Sequence, residues 1–399
     1  MMTTVAQAEH IIQNQVRDYG TEQVPFEQSV GRVLAEDIFA DRDMPPFNRV
    51  TMDGIGISYQ AFESGTRSFH IAGTQAAGDR PLDISQPHYC IEIMTGAVLP
   101  DSIDTIIRYE DVLISGTGAE VVIDSVKRGQ NIHFKGRDKQ QGSIVAGSGQ
   151  RVTPAIISII ASVGKTSVLV KKLPKAIIIS SGDELVGVDE TPAPYQIRRS
   201  NGYAIRAALQ QQGLLADILH IPDDPEVTRA EIARCLQHYE VIMLSGGISM
   251  GKFDYIPQAL EQVGVARLFH KVQQRPGKPF WFGADDNGVL VFAFPGNPVA
   301  TFMCLYRYFL PWLNTVMGLT DQPLYAALAE DFTFEPALQY FLQVKLSFNK
   351  DAKLTATPLA GNGSGDFANL ADTDAFMELP LEQNEFKAGE VYRVWRFDR

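Results

Sequence analysis

Four short motifs in the second half of the chain combine glycines, carboxylates and helix-start residues in patterns that bind anions. Exposed N–H groups of glycine loops, like those at the first turn of a helix, bind phosphate oxygens. Carboxylates beside a bound phosphate imply a divalent cation, most often Mg²⁺. The motifs therefore predict a site for a phosphorylated ligand and a metal ion. They are SSGDEL (180–185), IPDD (221–224), LSGGIS (244–249) and FPGNP (294–298).

One motif, extended to LSGGISMGKFDY (244–255), comes within one residue of a nucleotide-binding P-loop. It contains G-x-x-x-x-G-K, but the next position, where a P-loop has Ser or Thr, is Phe253. A P-loop places that hydroxyl on Mg²⁺. Phe253 cannot bind the ion, whereas the neighbouring Asp254 can. We interpret the segment as a glycine anion loop followed by a carboxylate, and we expect Lys252 at the surface, where lysines usually stay solvated.

A basic cluster lies between two of the motifs, in LFHKVQQRPGKPFWFG. It places His270, Lys271, Arg275 and Lys278 within nine residues. The chain as a whole is acidic, with a formal net charge of −12 over 399 residues. That balance argues against nucleic acid or an anionic membrane as the main partner. A local basic cluster is what an acidic protein needs to bind an anionic substrate.

Other residues exclude further kinds of site. Cys90, Cys235 and Cys304 are far apart and the seven histidines are scattered. A zinc site is therefore not expected. The cysteines are expected to be buried thiols in a reducing cytoplasm. No run approaches the about 18 apolar residues of a membrane span. The N-terminus is typical of an amphipathic helix rather than a signal peptide, so the sequence predicts a cytoplasmic protein.

Hydrophobic periodicity predicts the elements that carry the motifs. From about 172 to 318, apolar runs such as KAIIIS alternate with helical patterns, which indicates an open parallel α/β sheet. Ligands bind beyond the carboxyl ends of such strands, where all four motifs fall. Segments 4–18 and 153–164 predict helices, residues 55–150 an inserted β domain, and residues 324–399 a small all-β domain.

Each motif also has a purely structural interpretation. SGG fits a tight turn, PGNP fits a helix start with Asn297 as N-cap, and PDD fits a turn with an Asx cap. For any single motif the structural interpretation is the more common one. Four motifs at consecutive strand ends, with a basic cluster between two of them, favour a binding site.

The order of the motifs resembles the molybdenum insertases. SGDEL, PDD, SGGISMGKFDY, RPGKP and FPGNPVA are similar to the molybdopterin-binding domain of that family, which includes the bacterial molybdopterin molybdotransferases and the E domain of gephyrin. PPFNRVTMDG (45–54), IMTGAVLP (93–100), NIHFKGRDKQQG (131–142) and GNGSGDFANLADTDAFMELP (361–380) extend the resemblance over essentially the whole chain. MDG and TGAxxP separate the insertases from the single-domain adenylyltransferases.

The resemblance implies a multidomain α/β plus β fold. An open parallel α/β molybdopterin-binding domain is joined by an inserted β domain, a helical linker domain and a C-terminal β-barrel. It also implies an elongated homodimer whose active cleft includes a domain of the second subunit, and transient contacts with other enzymes of cofactor biosynthesis. The expected domains are 1–47 plus 140–171 (linker), 48–139 (inserted β), 172–320 (α/β) and 324–399 (barrel).

The implied activity is that of a molybdopterin molybdotransferase. Its substrates are molybdate and adenylylated molybdopterin: the pyrophosphate bond is hydrolysed, AMP leaves, and molybdenum is placed on the dithiolene sulfurs. Mg²⁺ is the expected cofactor.

The family's motifs assign roles to individual residues of this chain. The catalytic candidates are Asp53, Asp138, Glu184, Asp254, Lys271 and Lys278. The metal candidates are Glu184, Asp224 and Asp254, and the substrate-binding candidates are Thr95, Ser245, Gly246, Gly247, Arg275, Asn297 and Ser364.

Two positions depart from the family's pattern. Arg275 stands in RPGKP where the family often has Lys, which keeps the charge but changes its geometry. In PALQYFLQV (336–344), Leu338 stands where the family usually has an Arg that helps bind molybdate. Either another cation such as Arg393 substitutes, or molybdate binding is weaker.

Two other functions stay open at this point. An α/β domain of this kind also fits the preceding step, Mg-ATP-dependent adenylylation of molybdopterin, although MDG and the full-length architecture count against it. A non-enzymatic cofactor-binding or scaffold protein is the other alternative. The missing Arg at Leu338 is its best support, and the carboxylates kept at all five matched positions count against it.

Overall fold

The computed structural model describes residues 2–84, 86–248, 255–320, 322–359 and 368–397. Its chain divides into two compact units. The larger unit comprises Met1–Val24, Ser29–Ala35 and Leu169–Arg399, and the smaller one Pro25–Gln28 and Glu36–Val168. The four expected domains have boundaries that this division does not test, and they stay a prediction.

The smaller unit is built on the predicted β domain. Its six-stranded sheet has the order Thr105–Arg108, Gly54–Ile57, Tyr89–Ile93, Ser68–Gln75, Gly118–Val121 and Val112–Ser115. The helix Tyr59–Glu63 contributes Ala61 and Phe62 to the apolar core against this sheet. Two short ladders follow, Arg49–Val50 with Ile132–His133 and Ile38–Phe39 with Ile144–Ala146.

The helix predicted over 153–164 is present in the same unit as Pro154–Ser162. It begins where expected, because the Thr153 hydroxyl accepts the N–H of Ile156 and proline occupies the first turn. Two single-turn 3₁₀ helices, Phe26–Gln28 and Tyr109–Asp111, complete this part of the chain.

The larger unit contains the predicted α/β sheet. Its order is Ala216–Ile221, Ala176–Ser181, Val241–Ser245, Leu290–Phe294, Trp281–Ala284 and Ala266–His270. The first four strands are parallel, as predicted. The last two were not predicted: Trp281–Ala284 runs antiparallel to both of its neighbours and extends the sheet at one edge.

Helices cover both faces of this sheet because its central strands are apolar throughout. Every residue of Ala176–Ser181, Val241–Ser245 and Leu290–Phe294 is buried, as expected for parallel strands covered on both sides. The N-terminal helix packs its Val5, Ala8 and Ile12 into one of the two cores. The helices are Val5–Gln13, Asn201–Gln211, Pro225–Leu236, Ile256–Gln262, Pro298–Cys304 and Leu310–Val316, with a π-helical turn at Leu305–Phe309.

The C-terminal part is a closed β-barrel, as the resemblance implies. Five strands follow one another around it: Gln339–Phe348, Leu354–Pro358, Leu324–Leu328, Val391–Arg396 and Ala375–Leu379. The last of these pairs back with the first, which closes the barrel. Smaller elements of the larger unit are Leu185–Val186 with Ile197–Arg198, Phe332–Thr333 with Glu385–Phe386, and the 3₁₀ turn Ala368–Ala371.

One further strand connects the α/β part to the barrel. Gln274–Arg275 pairs in parallel with the first barrel strand, Gln274 opposite Gln339 and Arg275 opposite Tyr340. The strands Thr21–Pro25 and Ser167–Lys171 lie where the chain passes between the two units. Among the described residues, no helix has the length and apolar character needed to cross a membrane.

Candidate anion-binding site

The glycine loop after Val241–Ser245 requires glycine at two positions. Gly246 and Gly247 have φ angles of +99° and +64°, which residues with a side chain rarely adopt. A Cβ on Gly246 would also lie 2.8 Å from the carbonyl oxygen of Ser181, a backbone atom of the neighbouring strand. The N–H of Gly246 donates to the carbonyl of Phe294 at 3.3 Å, so its expected use as an anion donor would require that bond to be exchanged.

Asn201, which sequence analysis did not single out, ties this loop to the PGNP loop. Its Nδ2 lies 2.9 Å from the Ser245 hydroxyl, 2.8 Å from the Gly296 carbonyl oxygen and 3.3 Å from the Thr301 hydroxyl. The substrate candidate Ser245 is therefore a buried hydroxyl fixed at the end of its strand. One side chain thus holds two of the four predicted motifs together.

Asp183 and Asp223, which follow the strands Ala176–Ser181 and Ala216–Ile221, are linked by hydrogen bonds, whereas the metal candidates Glu184 and Asp224 stay a prediction. The Ser181 hydroxyl donates to Asp223 Oδ1 at 2.8 Å, and the N–H of Asp223 donates to Asp183 Oδ1 at 3.1 Å. Asp224 instead caps the helix Pro225–Leu236, since its Oδ1 accepts the N–H groups of Glu226 and Val227, both at 2.9 Å.

The catalytic and metal candidate Glu184 is exposed in the turn after Ala176–Ser181. A Cβ on Gly182 would lie 2.5 Å from Glu184 Oε2. The carboxylate therefore fits in this position because residue 182 is a glycine. Across the parts of the chain that the structure describes, no three His, Cys, Asp or Glu side chains are grouped to hold a metal ion. The candidates Asp254 and Ser364, and also Lys252, lie outside the described residues.

The basic cluster and the PGNP loop form the walls of one pocket of about 290 Å³. Arg275 and Lys278 lie on one side and Asn297 on another, and Leu338 from the start of the barrel completes the lining. The full lining is Gln274 to Pro279, Pro295 to Asn297, Ala300 and Leu338. Two residues with cationic side chains and the residues that start a helix therefore line one concave space.

Asn297 occupies the position that the sequence predicted for it. Its side chain accepts the N–H of Ala300 at 3.3 Å as the N-cap of Pro298–Cys304, with proline in the first turn. The partial positive charge of a helix N-terminus favours an anion there. Thr301 reinforces the turn by donating its hydroxyl to the Pro295 carbonyl at 2.5 Å.

The remaining members of the basic cluster lie elsewhere. Lys271 follows the edge strand with a left-handed backbone, φ +71°, and is not one of the residues that line the pocket. Burial lowers the pKa of His270, so this imidazole is neutral near pH 7, and its Nε2 contacts the Ile248 carbonyl at 3.3 Å. The positive charge on the pocket therefore comes from Arg275 and Lys278.

One alternative was that Arg393 substitutes for the missing C-terminal Arg, and this alternative stays a prediction. The guanidinium of Arg393 stacks on the Trp395 ring at 3.8 Å, and it is not a lining residue of the pocket that Leu338 lines. The strand Gln274–Arg275 instead runs alongside the barrel strand that follows Leu338. The guanidinium carbon of Arg275 lies 5.8 Å from the centre of the Phe334 ring.

In the smaller unit, Asp53 and Thr95 are in direct contact. The Thr95 N–H donates to Asp53 Oδ1 at 2.6 Å, and this hydrogen bond holds the pKa of the Asp53 carboxyl below its ordinary value. Asp53 is thus a fully ionised carboxylate at neutral pH. The MDG and TGAxxP motifs, which were matched separately, belong to one local structure.

Asp138 lies in a second polar contact of that unit. Its Oδ1 is 2.8 Å from His133 Nε2, and the other ring nitrogen of His133 is 3.4 Å from an Arg49 guanidinium nitrogen. His133 and Arg49 face each other on paired strands. His133 was quoted within a motif but was not proposed as a functional residue.

Fold and site together define a class: a multidomain α/β protein with a C-terminal β-barrel and a pocket, lined by Arg275 and Lys278, beside the carboxyl edge of its sheet. Comparison with known families agrees. Residues 3–164 match the MoeA N-terminal region (domain I and II), residues 177–315 a probable molybdopterin binding domain, and residues 325–397 the MoeA C-terminal region (domain IV).

Individual relatives cover nearly the same length. The chain is 40% identical to a molybdopterin molybdenumtransferase of Synechocystis sp. over 394 residues, 98% of this chain and 99% of the relative. It is 30% identical to that of Bacillus subtilis, over 94% and 89% of the two chains. The crystal structure of a molybdopterin biosynthesis MoeA protein from Pyrococcus horikoshii superposes over 100% of both chains, with TM-score 0.79 and 27% identity. The chain belongs to the MoeA family.

Proposed function

We propose that this protein is a molybdopterin molybdenumtransferase that inserts molybdenum from molybdate into adenylylated molybdopterin. The observation that carries the proposal is the pocket of about 290 Å³ in which Arg275, Lys278 and the Asn297 helix start converge. Its volume is at the lower end for ligand sites, which suits one tetrahedral oxyanion or one phosphate group rather than a whole pterin nucleotide.

Both substrates of this reaction are anions, which is why cations on rigid turns serve it. Charge-assisted hydrogen bonds from a guanidinium or ammonium are stronger than neutral ones. Arg275 and Lys278, exposed at the pocket, bind and orient the molybdate oxyanion.

We infer further that Arg275 supplies the guanidinium that the resemblance led us to expect at Leu338. The two residues line the same pocket from opposite sides of one strand pairing. A guanidinium offers two parallel donors to an oxyanion, whereas an ammonium acts as a point charge. Arg275→Lys should therefore weaken molybdate binding measurably, and unchanged affinity would remove Arg275 from this role.

The Mg²⁺ requirement is also a proposal. The described carboxylates do not complete a metal site, and Asp224 Oδ1 already caps a helix. Asp254 is the residue on which the prediction depends. Asp254→Ala should stop AMP release with folding intact, and near-normal turnover at saturating Mg²⁺ would show that it has no metal role.

We propose a homodimer because the candidates fall in both units. Asp53, Thr95 and Asp138 belong to the smaller unit, whereas the pocket belongs to the larger one. Light scattering of the purified protein tests this. A fully active monomer of 44.0 kDa would refute a site shared between subunits. We also propose transient contacts with other cofactor-biosynthesis enzymes, because an adenylyl-transfer reaction must supply the adenylylated molybdopterin.

The decisive assay measures AMP release from adenylylated molybdopterin with and without molybdate. Molybdate-dependent AMP release supports insertion. Consumption of ATP with formation of the adenylylated pterin would instead support the adenylyltransferase alternative. Tight pterin binding without turnover would support a scaffold. The carboxylates kept at all five positions that match the family's motifs favour an enzyme over a scaffold.

A further inference from the structure

The turn that carries Arg275 and Lys278 is held from below by one buried side chain, Gln274. Gln274 is completely buried, and its Nε2 donates to the carbonyl of Gly277 at 3.1 Å. The carboxamide thus closes the turn from within. The same nitrogen lies 3.6 Å from the sulfur of Cys304 in the helix beneath.

Gly277 shows how closely the turn fits this support. Its φ is +90°, and an added Cβ would lie 2.8 Å from Gln274 Nε2, 2.8 Å from Met303 Cε and 2.9 Å from Cys304 Sγ. The turn therefore rests directly on the helix and on the Gln274 amide. Little freedom remains for the backbone from which the two cationic side chains project.

Tyr308 fixes the other end of the same amide. Its hydroxyl, on a side chain only 2% exposed, donates to Gln274 Oε1. This bond decides which way the amide faces: with Oε1 accepting from Tyr308, the NH₂ group is directed to Gly277. Without the hydroxyl, a buried acceptor loses its partner and the amide can rotate.

The residue next to Tyr308 fixes the opposite wall. Arg307 is 3% exposed, and its Nε lies 3.1 Å from Glu378 Oε2. Glu378 accepts from the side chain of Gln339, the residue that follows Leu338 and pairs with Gln274. Consecutive residues of the π-helical turn Leu305–Phe309 therefore hold both strands that border the pocket.

From these contacts we infer that Gln274, oriented by Tyr308, is a positioning residue that sets the direction in which Arg275 and Lys278 present their charge to the oxyanion. Neither Gln274 nor Tyr308 carries charge or reacts. Their effect is on binding geometry, so it should appear in affinity and in the KM for molybdate rather than in kcat. The inference rests on the proposed function of the pocket.

The test uses Tyr308→Phe in the full chain, with Tyr306→Phe as its matched control. Tyr306 belongs to the same turn, and its hydroxyl donates to the Phe397 carbonyl at 2.9 Å, away from the pocket. Each variant removes one phenolic hydroxyl, but only Tyr308→Phe leaves a fully buried acceptor without its donor, so Tyr308→Phe should lose the more thermal stability. Calorimetric titration with molybdate should show an about fivefold weaker affinity for Tyr308→Phe only, because binding must then re-form a turn that one hydrogen bond no longer fixes. KM for molybdate should rise by the same factor, with kcat changed less than about twofold.

A second pair of variants separates this inference from the pocket's function. Lys278→Gln should weaken molybdate binding by itself, and adding Tyr308→Phe to it should have less effect than Tyr308→Phe has alone, because one of the positioned cations is gone. If Lys278→Gln and Arg275→Gln both leave affinity unchanged, the pocket assignment is wrong. If they weaken binding but Tyr308→Phe behaves like Tyr306→Phe, only the positioning role is refuted.

Discussion

Gly246→Ala is the most direct test of the glycine loop. The added methyl group meets two obstacles: a φ of +99° and a contact of 2.8 Å with the carbonyl oxygen of Ser181. Gly264 provides a matched control, since its φ is +86° but an added Cβ would have nothing within 4 Å. Both variants therefore introduce left-handed strain, and only Gly246→Ala also introduces a clash with a buried strand.

The expected magnitudes follow from these two differences. A residue with a Cβ in the left-handed region costs ~1–2 kcal/mol, so Gly264→Ala should lower the free energy of unfolding by about that amount. Overpacking against backbone adds ~1–3 kcal/mol, which should make Gly246→Ala the less stable variant by that margin. The clash is relieved only by moving the loop away from Ser181, so substrate affinity should fall in Gly246→Ala and stay normal in Gly264→Ala.

Urea unfolding followed by tryptophan fluorescence measures the difference. The three tryptophans, Trp281, Trp312 and Trp395, are all buried in the larger unit, so the signal reports the unfolding of the part that contains both glycines. AMP release is measured on the same samples. Equal losses of stability in the two variants, with full activity in both, would refute the reasoning.

Four other outcomes are expected. Native protein should give no rapid reaction with a thiol reagent, and three equivalents of the reagent should react after denaturation. The reason is that burial raises the pKa of all three thiols, that of Cys90 to about 12. A thiol that reacts fast in the native protein would contradict this. The pKa of the Asp53 carboxyl, measured by carbon NMR, should lie below 3.8. Its contribution to stability is therefore present above the pKa of the unfolded carboxyl and is lost as pH falls through the lower pKa of the folded state. An ordinary pKa would mean that the Thr95 contact does not form. Arg307→Met should destabilise the protein by ~3–5 kcal/mol, because it removes the cation paired with the Glu378 carboxylate. Adding Glu378→Gln should recover part of that stability. No recovery would contradict the ion-pair explanation. Lys252→Ala should cost less than ~1 kcal/mol in substrate affinity and Gly247→Val much more, because its side chain would also meet Ile256 Cδ1, 2.6 Å from the Cβ position; the reverse order would restore the P-loop interpretation.

The elements that sequence predicts best are those whose pattern reflects burial on both faces. Ala176–Ser181 and Val241–Ser245 are apolar runs for this reason. The edge strand Ala266–His270 was missed because only its Phe269 is buried and no pattern of period two results. The N-terminal helix was predicted to continue to residue 18, but it ends at Gln13 and Asn14 forms its C-cap. The polar pattern of the sequence continues beyond that point.

The site was predictable where the residue type by itself indicates the local backbone conformation. Asn297 caps its helix, and Gly246 and Gly247 have positive φ, as their motifs indicate. Asp224 shows the limit, because capping a helix and binding a metal require the same residue type after a strand. Asn201 and Gln274 could not be recognised, since their importance lies in hydrogen bonds to residues far away along the chain.

The exchange of Leu338 and Arg275 shows why charge has to be compared in space. Position by position, the chain has lost a cation from its barrel and exchanged one lysine for arginine in a turn. In the folded protein the two positions line one pocket: Arg275 belongs to the strand Gln274–Arg275, and Leu338 directly precedes the barrel strand that pairs with it. The pocket therefore has one cation fewer than the family's pattern, and under the proposed function Arg275 supplies the guanidinium geometry from the other strand. The requirement for rigid support then shifts to the turn that carries Arg275, and Gln274 with Tyr308 provides that support.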